Sequence, residues 1–199
     1  MADPGVLIRE LWVVWLITWW LAAFWSTRAV QRPALGSQLA YRAFVIAGCV
    51  LLFGLTNGGH VTGPLLWRPD AMASAPFITV AIGGFAFTWW ARLTIGALWS
   101  SGVTRKADHR VVDRGPYGLV RHPIYTGVIA AAFATAFVPL TAITLPGAAL
   151  ITFGFYLKAR LEERFLRHEL GREAYDEYAS RVPMLVPGLK RPTSRRPSI

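Results

Sequence analysis

Four stretches of this chain, residues 11–27, 43–67, 71–91 and 123–157, contain no aspartate, glutamate, lysine or arginine. About 20 consecutive apolar residues cross the hydrocarbon core of a bilayer as a helix, and in that core a helix is one of few structures that satisfy every backbone polar group internally. The runs therefore point to an all-α integral membrane protein. The first three each read as one span, over residues 9–27, 42–58 and 76–99. The fourth is too long for one ordinary span and is interrupted by Pro139 and Pro146, so it reads as a tight hairpin of two short or oblique helices. About five transmembrane helices result, with further C-terminal helices at the cytosolic or interfacial level. Composition agrees, since 54% of the residues are hydrophobic and only 16% charged, against about 25% charged in a soluble domain.

Basic residues orient the bundle, because lysine and arginine are retained on the cytoplasmic side. With the N-terminus outside, the inner segments hold Arg28, Arg32 and Arg42, then Arg105, Lys106, Arg110, Arg114 and Arg121, then ten basic residues from Lys158 to Arg196. Only Arg9 and Arg68 fall outside, and Arg92 lies within a span. The expected location is a bacterial inner membrane, multi-pass, with the C-terminus cytosolic. A net charge of +10 then follows from an inner surface facing anionic lipid. Nucleic acid is excluded as a partner because the aromatic residues sit in the apolar spans and are not interleaved with the basic ones. The single cysteine, Cys49, permits no internal disulfide, and the four histidines lack H-x-x-x-H spacing, so no metal site is expected. Asp3 and Glu10 against a lone Arg9 argue against the basic start of a cleaved signal peptide. The chain divides into a two-helix membrane region (1–75), a membrane domain with polar ends (76–189) and a basic disordered tail (190–199).

Chemistry concentrates in three places. The segment 115–127, G-P-Y-G-L-V-R-H-P-I-Y-T-G, joins two apolar stretches. Pro123 falls at a first helical position, where its missing N–H costs nothing, and the free N–H groups behind it attract a carboxylate or phosphate. Tyr125 and Gly127 offer an aromatic wall beside a side-chain-free gap for a flat ligand. The alternative is an ordinary basic loop with a proline helix start. Second, residues 156–171 continue the last span as a helix that stops at Gly171. Its acids Glu162 and Glu163 lie four residues from Lys158 and Arg167 respectively, so surface ion pairs compete with a role in a site. Third, Tyr175, Tyr178 and Val182 recur at helical spacing before Pro183, giving an amphipathic helix that serves as lid or as packing. Arg92 sits seven residues before Trp99, about 10 Å below the interface. It either snorkels to the headgroups or holds an anionic group in a pocket.

These residues together resemble the isoprenylcysteine carboxyl methyltransferase family, which is related to the phospholipid methyltransferases. The likeness rests on H-R-V-V-D-R-G-P-Y-G-L-V-R-H-P-I-Y-T-G, on E-E-R-F-L-R-H-E-L-G-R-E-A-Y-D-E-Y-A-S-R-V-P and on R-L-T-I-G-A-L-W-S, within residues 85–189. The resemblance implies a helical membrane enzyme that uses S-adenosylmethionine, with 76–189 as the catalytic membrane domain. By motif position it implies cofactor contacts from His109, Val112, Tyr117, His122, Pro123, Ile124, Tyr125 and Glu162, with Arg121 in the same loop. It also implies a basic residue that meets the substrate four positions before Glu162. Here that position is Lys158 and not an arginine, which offers a point charge in place of a bidentate fork; Arg160 is the nearby substitute. No G-x-G-x-x-G supports a soluble dinucleotide-type fold.

The expected reaction is methyl transfer to a lipophilic acceptor that enters from the bilayer, with Arg92, Lys158, Arg160 and Glu163 on the substrate side. An ionised carboxylate acceptor needs no base, whereas an amine requires Glu163 or Glu162 to take a proton. Two other readings compete: an NADPH-dependent membrane reductase of sterol-like or enone lipids, using Arg105, Lys106, Arg110 and Arg114, and a non-catalytic membrane scaffold.

Overall fold

A computed structural model of the chain describes residues 3–25, 35–54, 56–57, 60–61, 64–67, 69–96, 112–138 and 140–189. They are mostly helical. Helix α1 (Pro4–Ala22) starts earlier than the uncharged run implies, because Asp3 caps it by accepting from the Gly5 and Val6 amides and Pro4 suits its first turn. Helix α2 (Leu35–Cys49) runs on through a wider turn at Val50–Gly54. Helix α3 (Ala71–Ile95) is capped by Asp70, which accepts from the Ala73 amide, so it begins before the boundary drawn at residue 76. Of the described helices, α1 and α3 are long and apolar enough to cross a membrane.

The fourth apolar run does fold as a hairpin, after a single turn of helix, α4 (Pro116–Leu119). Helix α5 (Pro123–Ala136) has 14 residues, about 21 Å, short of a ~30 Å hydrocarbon core. Its partner α6 (Thr144–Leu170) is not short: it has 27 residues, about 40 Å. Pro146 sits in its opening turn, where it breaks nothing. Thr144 secures the bend, its hydroxyl donating to the Ala136 carbonyl at 3.0 Å and accepting from the Thr141 amide at 3.0 Å. Gly171, at φ +87°, stops α6 as the sequence implied, and α7 (Arg172–Arg181) follows in a new direction.

Two close seams hold the bundle. Between α3 and α5, a Cβ built on Gly84 would lie 2.6 Å from the Gly127 carbonyl, and one on Gly127 would meet the Gly84 carbonyl and Thr88. Between α2 and α6, Gly48, Gly147 and Gly154 bring backbones together in the same manner. Apolar lipid does not drive helices together, so such close backbone contact supplies the packing energy. Helix α1 closes on this core with aromatics: Trp12 donates to the Thr135 hydroxyl and Trp15 to that of Thr88, each at 2.8 Å, and Trp12 packs edge-on against Phe53 and Phe85.

The two ends differ. At one, short strands pair: β1 (Thr56–Asn57) with β2 (His60–Val61), and β3 (Leu65–Trp67) with β4 (Leu140–Thr141). At the other lie the ends of α1 and α3, the starts of α2 and α5, and the charged half of α6 with α7. Arg92 belongs there. It is 1% exposed and donates to the carbonyls of Gly96 and Ala22, which joins the C-terminal ends of α3 and α1, where a cation is favoured. That burial corrects the snorkelling alternative, which needs the guanidinium at the surface.

Candidate active site

The first turn of α5 and the charged half of α6 meet. His122, the residue before Pro123, sits between both acids, with Nδ1 3.5 Å from Glu162 Oε2 and Nε2 3.3 Å from Glu163 Oε1. Tyr125 donates its hydroxyl to Glu162 Oε1 at 2.6 Å, and its ring stacks parallel to His122 with centroids 5.3 Å apart. Adjacent acids point about 100° apart around a helix, so one loop serves both only by presenting groups on two sides, as His122 does.

The two carboxylates are held differently. Glu163, 3% exposed, accepts from Arg121 Nε at 2.7 Å and lies 3.6 Å from Arg167 Nη1. Burial alone raises its carboxyl, but hydrogen bonds from His122 and Arg121 outweigh that and hold it at about 2. Glu162 keeps 19% of its side chain accessible. Burial works against its charge as well, yet His122 and the Lys158 ammonium bring its pKa below the ordinary value. In return the acids hold the His122 ring above its ordinary pKa, despite the cost of burying an imidazolium. Removing a buried partner from such a set leaves an uncompensated charge.

The C-terminal segment closes over this cluster. Arg121 Nη1 donates to the Ala179 and Val182 carbonyls, the Arg121 and His122 amides donate to the Pro183 and Met184 carbonyls at 2.9 and 3.1 Å, and the Thr126 hydroxyl donates to that of Leu185 at 2.7 Å. Tyr178 donates to the Tyr117 carbonyl at 2.7 Å, and Tyr175, Tyr178 and Val182 form the buried face of α7. Tyr117 is buried, and burial with nearby Glu162 keeps its phenol protonated.

The structure thus brings Tyr117, Arg121, His122, Pro123, Tyr125, Glu162 and Glu163 into one cluster. Ile124 is half-buried beside it and Val112 lies half-buried on the approach to α4. Arg121 is spent on Glu163 and on backbone carbonyls, which makes it a strut. Lys158 is buried, its ammonium 5.0 Å from the Tyr125 ring centroid. Arg160 stands apart, exposed and donating to the Tyr156 hydroxyl one turn back at 3.3 Å; two residues from Lys158, it projects from the far side of α6. The gap expected at Gly127 is filled by α3, so no flat ligand presses there. His109, Arg105, Lys106, Arg110 and the tail 190–199 lie outside the described residues, and Arg114 is exposed. Among the described residues, no group of three or more His, Cys, Asp or Glu is placed to hold a metal ion.

Sequence reasoning placed a span at 42–58 but missed that α2 starts at Leu35 and reaches the site. Gln38 and Tyr41 are buried at the charged end, and the Lys158 ammonium lies 5.7 Å from the Tyr41 ring centroid. The available signal was Q-x-x-Y-R, polar residues at helical spacing in an otherwise apolar run.

Fold and site together define a helical membrane protein with a covered, carboxylate-bearing cluster at the end of its bundle. Residues 77–168 match the model of the isoprenylcysteine carboxyl methyltransferase (ICMT) family, and the relatives named for methyl transfer support that family. It is 33% identical over 86 residues, 43% of either chain, to protein-S-isoprenylcysteine O-methyltransferase B of Arabidopsis thaliana. It is 29% identical over 188 residues to methanethiol S-methyltransferase 1 of Bradyrhizobium diazoefficiens, covering 85% of this chain and 58% of that one. It is 32% identical over 166 residues to the cobalt-zinc-cadmium resistance protein CzcN of Cupriavidus metallidurans, covering 80% and 66%. The chain thus spans about half the length of the first two relatives.

Proposed function

We propose that this chain is an S-adenosylmethionine-dependent methyltransferase that acts on a lipophilic acceptor at the cytosolic face of a bacterial inner membrane, as a multi-pass protein with its N-terminus outside. The observation that carries this reading is the convergence of His122, Tyr125 and Glu162 under α7. The donor set fits the cofactor: a sulfonium and an ammonium call for a carboxylate and aromatic faces, which Glu162, Tyr125 and Tyr117 provide, while His122 and the N-terminal turn of α5 suit a carboxylate. When bound, the cofactor supplies a methyl carbon whose bond to sulfur breaks, its electron pair returning to sulfur, as a lone pair of the acceptor forms the new bond.

The remaining chemistry belongs to the chain. Glu163 and Arg121 fix the loop so that His122 and Tyr125 keep their orientation, a contribution of alignment. Helix α7 keeps water from the reacting centre, which strengthens each electrostatic contact there. Glu162, the more accessible acid, takes a proton where the acceptor arrives as an amine or thiol, and a carboxylate acceptor needs no such step. The relatives named for an O-methyl and an S-methyl transfer support an acceptor with an ionisable head.

Thermal unfolding of the detergent-solubilised chain separates this reading from its competitors, because a ligand that binds only the folded state raises the midpoint. S-adenosylhomocysteine is expected to raise it and NADPH to leave it unchanged, with the shift lost in Glu162→Gln. Stabilisation by NADPH alone supports the reductase reading; stabilisation by neither supports the scaffold.

A further inference from the structure

Helix α2 lies outside the stretch that matches the family model, which begins at residue 77. Yet it places two buried polar side chains against the cluster. Gln38 and Tyr41, 4% and 6% exposed, share one face at i and i+3. The Tyr41 hydroxyl lies 3.4 Å from Gln38 Oε1, and Arg42 donates to the same oxygen at 3.0 Å. The other face of α2 is apolar and open, with Leu39 and Ile46 both exposed. One helix therefore turns grease outward to lipid and a hydrogen-bonded tyrosine inward to the site.

What Tyr41 faces gives it meaning. The Lys158 ammonium is shared by two aromatic rings, Tyr125 from α5 at 5.0 Å and Tyr41 from α2 at 5.7 Å. Tyr125 belongs to the cluster around Glu162, so Lys158 is the link between that cluster and the α2 wall. A buried ammonium is costly unless compensated, and here rings on two sides hold it in place, where it attracts a further anion.

We propose that Tyr41 is the contribution of α2 to the acceptor side, where the family resemblance already puts Lys158: with an anionic head at the ammonium, the Tyr41 ring packs on the first carbons behind it, and Gln38 lies against its hydroxyl. This inference rests on the methyl-transfer reading. Two heads share the required chemistry, a carboxylate and a thiolate. A carboxylate attacks with its own lone pair, and a thiol does so once its proton has passed to Glu162; charge then balances as sulfonium and anion become thioether and ester or a second thioether.

The test uses the full chain in nanodiscs, with S-farnesyl-N-acetylcysteine as the carboxylate probe and 1-octanethiol as the thiol probe. In Tyr41→Ala the KM of the accepted probe is expected to rise about tenfold, with kcat and the Kd of S-adenosylhomocysteine changing less than about twofold, from the loss of one ring beside a desolvated cation. Tyr41→Phe, which keeps the ring and gives up only the Gln38 contact, is expected to raise the KM less than Tyr41→Ala does. Should Tyr41→Ala misfold, as loss of cofactor binding would reveal, Tyr41→Leu keeps the volume without the π face and is expected to show the same rise in KM. A wild-type KM retained in Tyr41→Leu, or a cofactor Kd that weakens as much as the acceptor KM in a folded variant, overturns the assignment while leaving methyl transfer intact. Absence of methyl transfer to either probe by a wild-type chain that binds no S-adenosylhomocysteine overturns both.

Discussion

The first turn of α5 and the remainder of that helix are held by opposite means. Around residues 121–126 the contacts are charged and directional: Arg121 to Glu163, His122 between two acids, Tyr125 to Glu162. From Gly127 onward they are apolar and shapeless except for a close backbone seam with α3 and two hydroxyls, that of Thr135 receiving Trp12 and that of Thr144 donating to the Ala136 carbonyl. A seam of small residues needs no water and suits a lipid interior. A charged cluster requires every partner to be present and suits the membrane surface, where a charged ligand arrives. One helix thus anchors the bundle with its body and builds the candidate site with its cap.

The sharpest way to break this comparison is to remove Glu163. Glu163→Ala leaves Arg121 and His122 buried without their shared partner, and such losses cost about 3–5 kcal/mol. The expected result is a large fall in thermal midpoint in detergent together with proteolytic release of the segment beyond residue 183, whose backbone Arg121 and His122 hold. A loss below about 1 kcal/mol, the range of exposed pairs, would mean that the cap is as loosely held as a surface.

Acidity probes the same contrast with a somewhat smaller effect. The Glu163 carboxyl is held at about 2 against an ordinary 4.5. Its folded pKa is lowered, so its stabilisation is present above pH 4.5 and is lost as pH falls toward 2, on the order of 3 kcal/mol. The His122 pKa is raised from 6.5, so its share is complete below 6.5 and is lost as pH rises through the folded value. The midpoint of unfolding is therefore expected to peak between about pH 4.5 and 6.5. His122→Asn should flatten the alkaline side and, because His122 also holds the Glu162 and Glu163 carboxyls down, weaken the acid side as well. A profile unchanged by that substitution would show that the imidazole carries no charge in the folded cluster.

Much of this architecture was legible in the residues. Uncharged runs gave the helices, Gly171 gave the stop of α6, and the spacing of Tyr175, Tyr178 and Val182 gave the buried face of α7. The meeting of the R-H-P turn with Glu162 and Glu163 was also legible, because both lie where apolar runs end on one side. Helix starts were not found from charge alone: Asp3 and Asp70 are caps, and caps lie upstream of the apolar run they serve. The side of a helix was harder still. Arg160 and Lys158 are two residues apart and indistinguishable by composition, but only one faces Tyr125. The partner of Gly127 was invisible, since a glycine opens space for a ligand or for another backbone, and only the packing of α3 decides which. Tyr41 escaped because its neighbours, Lys158 and Tyr125, are distant in sequence.

The glycine seam offers the smallest and most local test of the comparison. Gly84 and Gly83 are adjacent on α3, alike in propensity, but a Cβ on Gly84 would press on the Gly127 carbonyl whereas one on Gly83 has nothing within 4 Å. Alanine in place of a mid-helix glycine stabilises by roughly 0.5–1 kcal/mol where space allows, so Gly83→Ala is expected to raise the thermal midpoint slightly. Gly84→Ala gains the same helix propensity but forces α3 and α5 apart, an overpacking cost of about 1–3 kcal/mol, and its midpoint is expected to fall. Since the seam lies below the cap on α5, cofactor affinity should change little in either variant. If Gly84→Ala weakens S-adenosylhomocysteine as strongly as Glu162→Gln does, the body of α5 and its cap are one mechanical unit, and the division of labour along that helix is lost.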